Sequence, residues 1–170
     1  MSPHETLFLE STHNVDIHLI SNNDFVKFQT WDFGGDMNLQ HGVQYGTKVI
    51  STENILRGCS TLVYVIDAQE DDYEDSLPKL VETIIFAFKI NPKIHFEVFL
   101  HKIDGDLMPD EIKSERQQGI QNYVSTELSD VSNGEILVSY YLTSIYDHSV
   151  LEAFSKVLQH KISFVRCVAF

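Results

Sequence analysis

The chain is poor in cysteine and has no long apolar run. Its 170 residues include two cysteines, Cys59 and Cys167, which are too few for a disulfide framework, and no secretory signal opens the sequence. No apolar run approaches the ~20 residues that a membrane-spanning helix needs. We therefore expect a protein that works in a reducing, cytosolic compartment.

Positive charge is also scarce. Lysine and arginine number 12 against 25 aspartates and glutamates, and the net charge is −13. Such a field repels phosphate backbones, so we expect no nucleic-acid partner. The eight histidines lack the spacing of a metal site, which favours ordinary surface or core histidines over a zinc centre.

The chain alternates β-rich apolar runs with segments whose apolar residues have helical periodicity. Strands are predicted at 25–31, 61–66, 94–100 and 136–142. Helices are predicted at 74–90, at 110–128 and after a Ser149-x-x-Glu152 capping box. This alternation, in a chain of single-domain length, predicts a parallel α/β sheet. In the second helix, one side is expected to face the core: Ile112, Ile120, Tyr123, Val124 and Leu128.

Polar residues gather where the predicted strands end. In parallel α/β sheets, ligands bind beyond the carboxyl ends of the strands. A binding site is therefore predicted at this edge, which carries Asp32, Asp67, Lys102, Asp104, Thr143 and Ser144.

The stretch TWDFGGD at residues 30–36 fits two signatures. As Asp-Phe-Gly it is the metal-holding triplet of a protein kinase, and as Asp-x-x-Gly it is the magnesium and γ-phosphate loop of a GTPase. A kinase also needs a much longer chain, a His-Arg-Asp loop and an Ala-Pro-Glu, and neither string occurs here. The GTPase interpretation remains.

The stretch HKID at residues 101–104 has the form of the Asn/Thr-Lys-x-Asp motif with which GTPases recognise guanine. A carboxylate can accept hydrogen bonds from the guanine N1–H and from its exocyclic amine, which adenine cannot offer. A surface loop would explain Lys-x-Asp alone. Its position after a predicted buried strand, downstream of Asp-x-x-Gly, makes the guanine hypothesis more specific.

The chain resembles the Rag C/D class of Ras-related GTPases, including the fungal counterparts, from residue 1 to about 162. The stretches that carry the resemblance are SPHETLFLEST, FVKFQTWDFGG, LVYVIDAQEDDYEDSL, INPKIHFEVFLHKIDG and YLTSIYDHSVLEAFSKVLQ. The resemblance implies a Ras-like P-loop GTPase fold of α/β class with a mostly parallel sheet, and GTP or GDP with Mg²⁺ as ligands.

The resemblance also implies roles for single residues. Thr12 would be the switch threonine whose hydroxyl reaches Mg²⁺, Asp32 would hold Mg²⁺ through water, and Gly35 would offer its N–H to the γ-phosphate. The guanine side would be formed by His101, Lys102, Asp104, Ser144 and Ile145.

Partners and location are implied in the same way. The family works as a heterodimer with Rag A/B-type GTPases on lysosomal or vacuolar surfaces, where a lysosomal scaffold and the TOR complex receive the amino-acid signal.

Three features depart from the family pattern. No Gly-x-x-x-x-Gly-Lys-Ser/Thr phosphate loop occurs in these residues, and Asp36 stands where the family places a catalytic-side glutamine. The family would also continue past residue 170 into a dimerising domain.

We expect a partial GTPase domain at 1–162 that lacks the first strand, phosphate loop and first helix, followed by a short divergent tail at 163–170. The missing strand would leave an open place between the strands that end at Asp32 and Asp67. The alternative is an incomplete gene product or an interaction module that binds no nucleotide.

The tail ends in Cys167-Val168-Ala169-Phe170, which has the form of a Cys-a-a-X prenylation box. Only Lys161 and Arg166 lie near it as basic residues, and one lipid chain anchors poorly without a polybasic patch. We expect the match to be accidental and the thiol unmodified.

Overall fold

The computed structural model describes residues 12, 15–21, 27–35, 37, 42–105, 108–132, 134–159 and 165–169. Its strands are β1 (Val15–Ser21), β2 (Lys27–Phe33), β3 (Val43–Tyr45), β4 (Lys48–Ile50), β5 (Thr61–Asp67), β6 (His95–His101), β7 (Val138–Thr143) and β8 (Val165–Ala169). Its helices are α1 (Thr52–Arg57), α2 (Leu77–Ile90), α3 (Asp110–Ser132) and α4 (Ser149–Gln159), with a 3₁₀ turn at Tyr73–Ser76.

Six strands form the main sheet in the order β1-β2-β8-β5-β6-β7, and β3 and β4 form a separate hairpin. β1 runs antiparallel to β2, whereas β2, β8, β5, β6 and β7 are mutually parallel. Helices connect parallel strands because each crossover must return the chain to the same edge. The predicted α/β class with a mostly parallel sheet is confirmed.

Helices cover both faces of the β5–β6–β7 part of the sheet, which explains its unbroken apolar strands. On one face, Leu80 of α2 and Ile120 of α3 join the large core cluster, together with Leu62 of β5 and Val98 of β6. Each such side chain contributes roughly 1.5–3 kcal/mol by leaving water.

The opposite face of these strands packs on α4. Phe99 of β6 is buried there against Val63, Ala153 and Val157. Its ring also meets Tyr141 and Phe154 edge-on, with ring centroids 5.4 and 5.2 Å apart. Edge-to-face geometry is preferred by aromatic pairs because the positive ring edge meets the negative face.

Two details of the helices differ from expectation. The predicted core side of α3 is narrower, because Ile112 and Tyr123 are exposed while Ile120, Val124 and Leu128 are buried. A long helix on a sheet buries only the stripe that faces it. The predicted capping box also fails, because α4 begins at Ser149 itself.

The main correction concerns the place between β2 and β5. It was expected to be open, and β8 lies in it. β8 pairs in parallel with β2 from Phe28 to Asp32 and with β5 from Thr61 to Val63. Unpaired backbone groups on two inner strands are costly, and an extended segment of the same chain satisfies many of them. Residues 165–169, within the expected tail, thus form an inner strand.

Candidate functional site

The carboxyl ends of β5, β6 and β7 lie side by side at one edge of the sheet, because these strands pair in register. Asp67 at the end of β5 is level with His101 of β6, which is level with Thr143 of β7. Asp32 lies at the carboxyl end of β2, level with Ala169 of β8 and through it with Val63 of β5, four residues before Asp67. The ends of β5, β6 and β7 therefore bring polar side chains from three separate parts of the sequence to one edge, and Asp32 ends the parallel strand β2 four residues below that level.

Thr12 and Asp32 form the candidate metal side. The Thr12 hydroxyl donates to Asp32 Oδ2 at 2.9 Å, in a half-buried position. A hydroxyl and a carboxylate are oxygen ligands of the kind that Mg²⁺ takes, and Mg²⁺ usually adds waters and substrate phosphates to one or two protein groups. Within the described residues no three His, Cys, Asp or Glu side chains form a metal cage. The two residues fit a magnesium ion that is shared with a phosphate.

The loop after Asp32 turns back at once. The Met37 N–H donates to the Gly34 carbonyl at 2.9 Å, and Lys79 of α2 donates its ammonium to the Gly35 carbonyl. Gly35 is exposed, so its backbone is accessible at this edge. Asp36, the residue in the glutamine position, lies outside the described residues.

Asp104 is the centre of the candidate base side. Its Oδ1 accepts the hydroxyl of Ser144, and its Oδ2 accepts the side-chain amide of Gln69 at 3.3 Å. The same Gln69 amide donates to the Lys102 carbonyl at 2.9 Å. A carboxylate has about four acceptor positions, so these bonds orient Asp104 and leave acceptor capacity for a ligand.

Lys102 has an unusual backbone. Its φ is 62°, in the left-handed region that costs an L-residue other than glycine of the order of 1–2 kcal/mol. Such strain often marks functional sites. The Lys102 ammonium lies 2.5 Å from Asp67 Oδ2, with 55% of the lysine side chain exposed. The lysine side chain is therefore largely exposed, and a surface ion pair with Asp67 holds it near the strand ends.

His101 joins the ends of β6 and β7. Its Nδ1 lies 2.9 Å from the hydroxyl of Thr143, a buried residue, and that hydroxyl also bonds the Leu100 carbonyl at 3.3 Å. Burial is the main cause that lowers the pKa of His101 below 6.5, and the charge of Lys102 adds to it. Asp104 and Asp67 act in the opposite direction.

A pH dependence of stability follows from His101. A histidine whose pKa is lower in the folded state than in the unfolded state binds its proton more readily when unfolded, so protonation favours unfolding. We expect the free energy of unfolding to fall as the pH drops below about 6.5, with the loss complete below the folded-state pKa.

Urea unfolding at pH 7.5 and pH 5.5 measures this change. His101→Gln should show a smaller difference between the two pH values than the unchanged chain. His18→Gln, at an exposed position of β1, is the matched control and should keep the full difference. An equal difference in all three proteins would contradict the assignment.

The loop after β7 is held by its own hydrogen bonds. The Ser144 N–H donates to Ser149 Oγ at 2.7 Å, and the Ser144 hydroxyl accepts the Tyr146 N–H at 3.0 Å. Within the described part of the chain, no hydrogen bond uses the Ile145 N–H. This amide is therefore available to a ligand oxygen.

Several residues of the site were not found from sequence. Gln69 stands two residues after Asp67, and no simple motif singled it out. Arg116 of α3 donates to the carbonyls of Ala68 and Glu70, the latter at 3.2 Å, and its guanidinium lies 4.8 Å from the Tyr73 ring centre. It therefore fixes the loop that carries Gln69. Its place in the middle of a helix gave no sequence signal.

The structure thus divides the predicted site residues into two groups. Thr12 and Asp32 contact each other, and Asp104 contacts Ser144. The structure gives no contact that joins the metal side to the base side within the described residues. In that part of the chain, no helix is long and apolar enough to cross a membrane.

Comparison with known proteins identifies the family. The family model described as the Gtr1/RagA G protein conserved region matches residues 1–169. Ras-related GTP-binding protein C of Mus musculus is 48% identical over 162 residues, which is 95% of this chain and 38% of that protein.

Two further relatives cover the same share of this chain, 95%. Ras-related GTP-binding protein D of Mus musculus is 46% identical, over 34% of its length. GTP-binding protein gtr2 of Schizosaccharomyces pombe is 42% identical, over 48% of its length. The chain spans less than half the length of each of these relatives.

A family model that covers nearly the whole chain, together with identities of this size, confirms the resemblance found in the sequence. The chain belongs to the Gtr1/RagA family of G proteins and, within it, to the Rag C/D class.

Proposed function

We propose that this chain carries the guanine-reading and magnesium side of a regulatory GTPase of the Rag C/D class. The observation that supports the proposal is that the Thr12–Asp32 pair and the Asp104–Ser144–Gln69 cluster each lie at the carboxyl ends of parallel strands. Lys102 and Asp104 would read guanine, with His101 and Ser144 holding them in place and the Ile145 N–H meeting the base oxygen. Thr12 and Asp32 would hold Mg²⁺, and Gly35 would offer its N–H to the γ-phosphate.

The partners proposed for the whole protein follow from the class. They are a Rag A/B-type GTPase as the second half of a heterodimer, and a lysosomal scaffold and the TOR complex as receivers of an amino-acid signal at a lysosomal or vacuolar surface. The relatives' names support GTP binding.

A second candidate is an interaction module that binds no nucleotide. The lack of a phosphate-loop motif in these residues favours it. Backbone amide shifts, measured by NMR during titration with Mg²⁺ and either GDP or ADP, separate the two candidates. We expect GDP at millimolar concentration to shift the amides of Lys102, Asp104 and Ile145, and ADP to leave them in place. Equal responses to the two nucleotides, or none, would favour the interaction module.

Hydrolysis is proposed to be slow because of Asp36. A carboxylate is shorter than a glutamine side chain, and it repels the negative charge of the γ-phosphate. At ~4 Å and an effective dielectric constant near 20, this repulsion is about 4 kcal/mol before any metal compensates it. In a chimera that carries a phosphate loop, Asp36→Gln should hydrolyse GTP faster in a single turnover. Equal rates for the two forms would show that Asp36 does not control the attacking water.

A further inference from the structure

β7 is the last strand of the main sheet on one side, and among the described residues no strand pairs with its outer side. Its sequence, VSYYLT, contains no charged residue and no proline. Exposed edge strands normally carry such residues, because free backbone N–H and C=O groups attract further strands. β1, at the other side of the sheet, carries the exposed residues Asp16 and His18. β7 therefore lacks the usual protection against pairing with another chain.

A groove of about 550 Å³ lies between β7 and α3. Its apolar lining comes from both elements and from the turn that joins them: Val124, Leu128, Ile136, Val138 and Tyr140. Leu137, the residue before β7, is 82% exposed. Apolar surface that adjoins an unpaired strand edge is suited to the side chains of an added strand.

The serines that also line this groove need no polar partner in it. Their hydroxyls donate to carbonyls of α3 itself, at 3.0, 2.7 and 2.9 Å for Ser125, Ser129 and Ser132. Covering these hydroxyls with apolar side chains would leave no hydroxyl donor unpaired. The helix wall of the groove can therefore accept apolar side chains.

The charge beside the groove is negative. Asp130 follows the lining residue Ser129, and Glu135 stands between two further lining residues; both acids are exposed. Neither forms an ion pair in the described part of the chain, although Lys93 lines a neighbouring hollow together with Glu135. Positions 117–155 contain no lysine or arginine. Complementary charge on a partner would therefore be positive.

We propose that β7 and the groove beside it bind an extended segment of a partner protein. The segment adds to the sheet as a further strand, places alternate apolar side chains in the groove and carries lysine or arginine at the end beside Asp130 and Glu135. An added strand satisfies the free backbone groups of β7, and its alternate side chains point to one face of the sheet. The proposal does not depend on nucleotide binding.

A second copy of this chain fits the surface less well. Its own β7 region would bring the same acids, Asp130 and Glu135, and no lysine or arginine from 117–155. Like charges across an interface disfavour association. We therefore expect no dimer through β7 in sedimentation analysis. A dimer that Ser129→Arg dissociates would assign the surface to self-association and overturn the proposal.

A synthetic peptide with blocked ends, Lys-Arg-Val-Thr-Val-Thr-Val-Arg-Lys, tests strand addition to the unchanged chain. We expect it to shift the NMR signals of 138–143 and to slow the exchange of the outward amides of β7 at least ~10-fold, because pairing protects them. The control peptide has glutamate at every lysine and arginine and should bind roughly 10-fold more weakly or less. Equal binding of the two peptides, or binding without added protection of β7, would overturn the proposal.

Two variants locate the peptide. Ser129→Arg, at an exposed position of α3, extends a long cationic side chain over the groove and should weaken binding of the basic peptide at least ~10-fold. The matched control is Ser155→Arg of α4, where the exposed serine likewise donates to a carbonyl of its own helix, at 2.8 Å. It should bind as the unchanged chain does. Equal affinity of all three proteins would contradict the assignment of the groove.

A charge exchange keeps the proposal testable if Ser129→Arg does not fold. The double variant Asp130→Lys, Glu135→Lys changes two exposed residues and should reverse the preference, so that the glutamate peptide binds more tightly than the basic one. A retained preference for the basic peptide would show that these acids do not select the partner, and it would overturn the proposal.

Discussion

GTP and GDP should bind to the 170-residue chain at least three orders of magnitude more weakly than to Ras-related GTP-binding protein C of Mus musculus. A phosphate loop supplies backbone amides and a lysine to the β- and γ-phosphates, and no such motif occurs in these residues. Charge-assisted hydrogen bonds contribute about 1.5–3 kcal/mol each. The loss of three of them therefore exceeds the roughly 4.2 kcal/mol that a thousandfold change requires.

The structure adds a second reason for weak binding. β8 places Ala169 level with Asp32, so among the described residues the neighbour of Asp32 on this side is a strand and not a phosphate-binding turn. Titration with a fluorescent guanine nucleotide in the presence of Mg²⁺ measures the affinity of both proteins. A dissociation constant below micromolar for this chain would refute the prediction.

Replacement of Asp104 by asparagine should move the base preference from guanine to xanthine. The carboxylate of Asp104 would accept two hydrogen bonds from guanine. An asparagine amide offers a donor that suits xanthine, which carries an oxygen at position 2. Two lost charge-assisted bonds at about 1.5–3 kcal/mol each predict a loss of GTP affinity of roughly 100-fold or more.

The measurement requires a protein that binds nucleotide well. A suitable chimera carries the first strand, phosphate loop and first helix of a Rag C/D-class relative ahead of this chain and lacks residues 163–170, so that β8 does not compete for the place between β2 and β5. Competition between GTP and XTP should favour XTP for the Asp104→Asn form. The matched control is Asp110→Asn, at an exposed residue that pairs with Lys113, and it should keep the preference for GTP. If both variants prefer GTP equally, Asp104 does not read the base.

The contacts of Asp104 also predict the relative effect of two substitutions on GTP binding. Ser144 and Gln69 each donate to one of its oxygens, and these hydrogen bonds fix the orientation of the carboxylate. Gln69→Leu in the same chimera should therefore weaken GTP binding less than Asp104→Asn does, because it affects orientation rather than the acceptor itself. This ordering of the two variants is measured in the same titration.

The parts of the fold that sequence predicted are those governed by local pattern. The runs 61–66 and 94–100 became β5 and β6 to within one or two residues, because uninterrupted β-rich apolar runs suit inner parallel strands. The helix predicted at 74–90 was observed as a 3₁₀ turn followed by α2. Polar residues at strand ends predicted the site edge, because a parallel sheet brings those ends together.

Other elements had no adequate local signal. β1 and the β3–β4 hairpin were not predicted, and their sequences are mixed because much of their surface is exposed. Gln69 and Arg116 reach the site over 35 and 48 positions of sequence, and such contacts depend on how the β5–α2 loop and α3 pack together. The apolar side predicted for α3 is wider than the side that the structure buries, because periodicity alone does not give the width of the face that a sheet covers.

The sequence by itself determined the α/β class, the family and the residues of the candidate edge, because hydrophobic periodicity and short motifs are properties of neighbouring residues. Tertiary structure alone decided that 165–169 enters the sheet between β2 and β5. A short apolar segment is compatible with a tail, an edge strand or an inner strand. The choice depends on backbone groups that lie more than 100 residues away in the chain. That these groups lack other partners is known only once the order of the strands in the sheet is known.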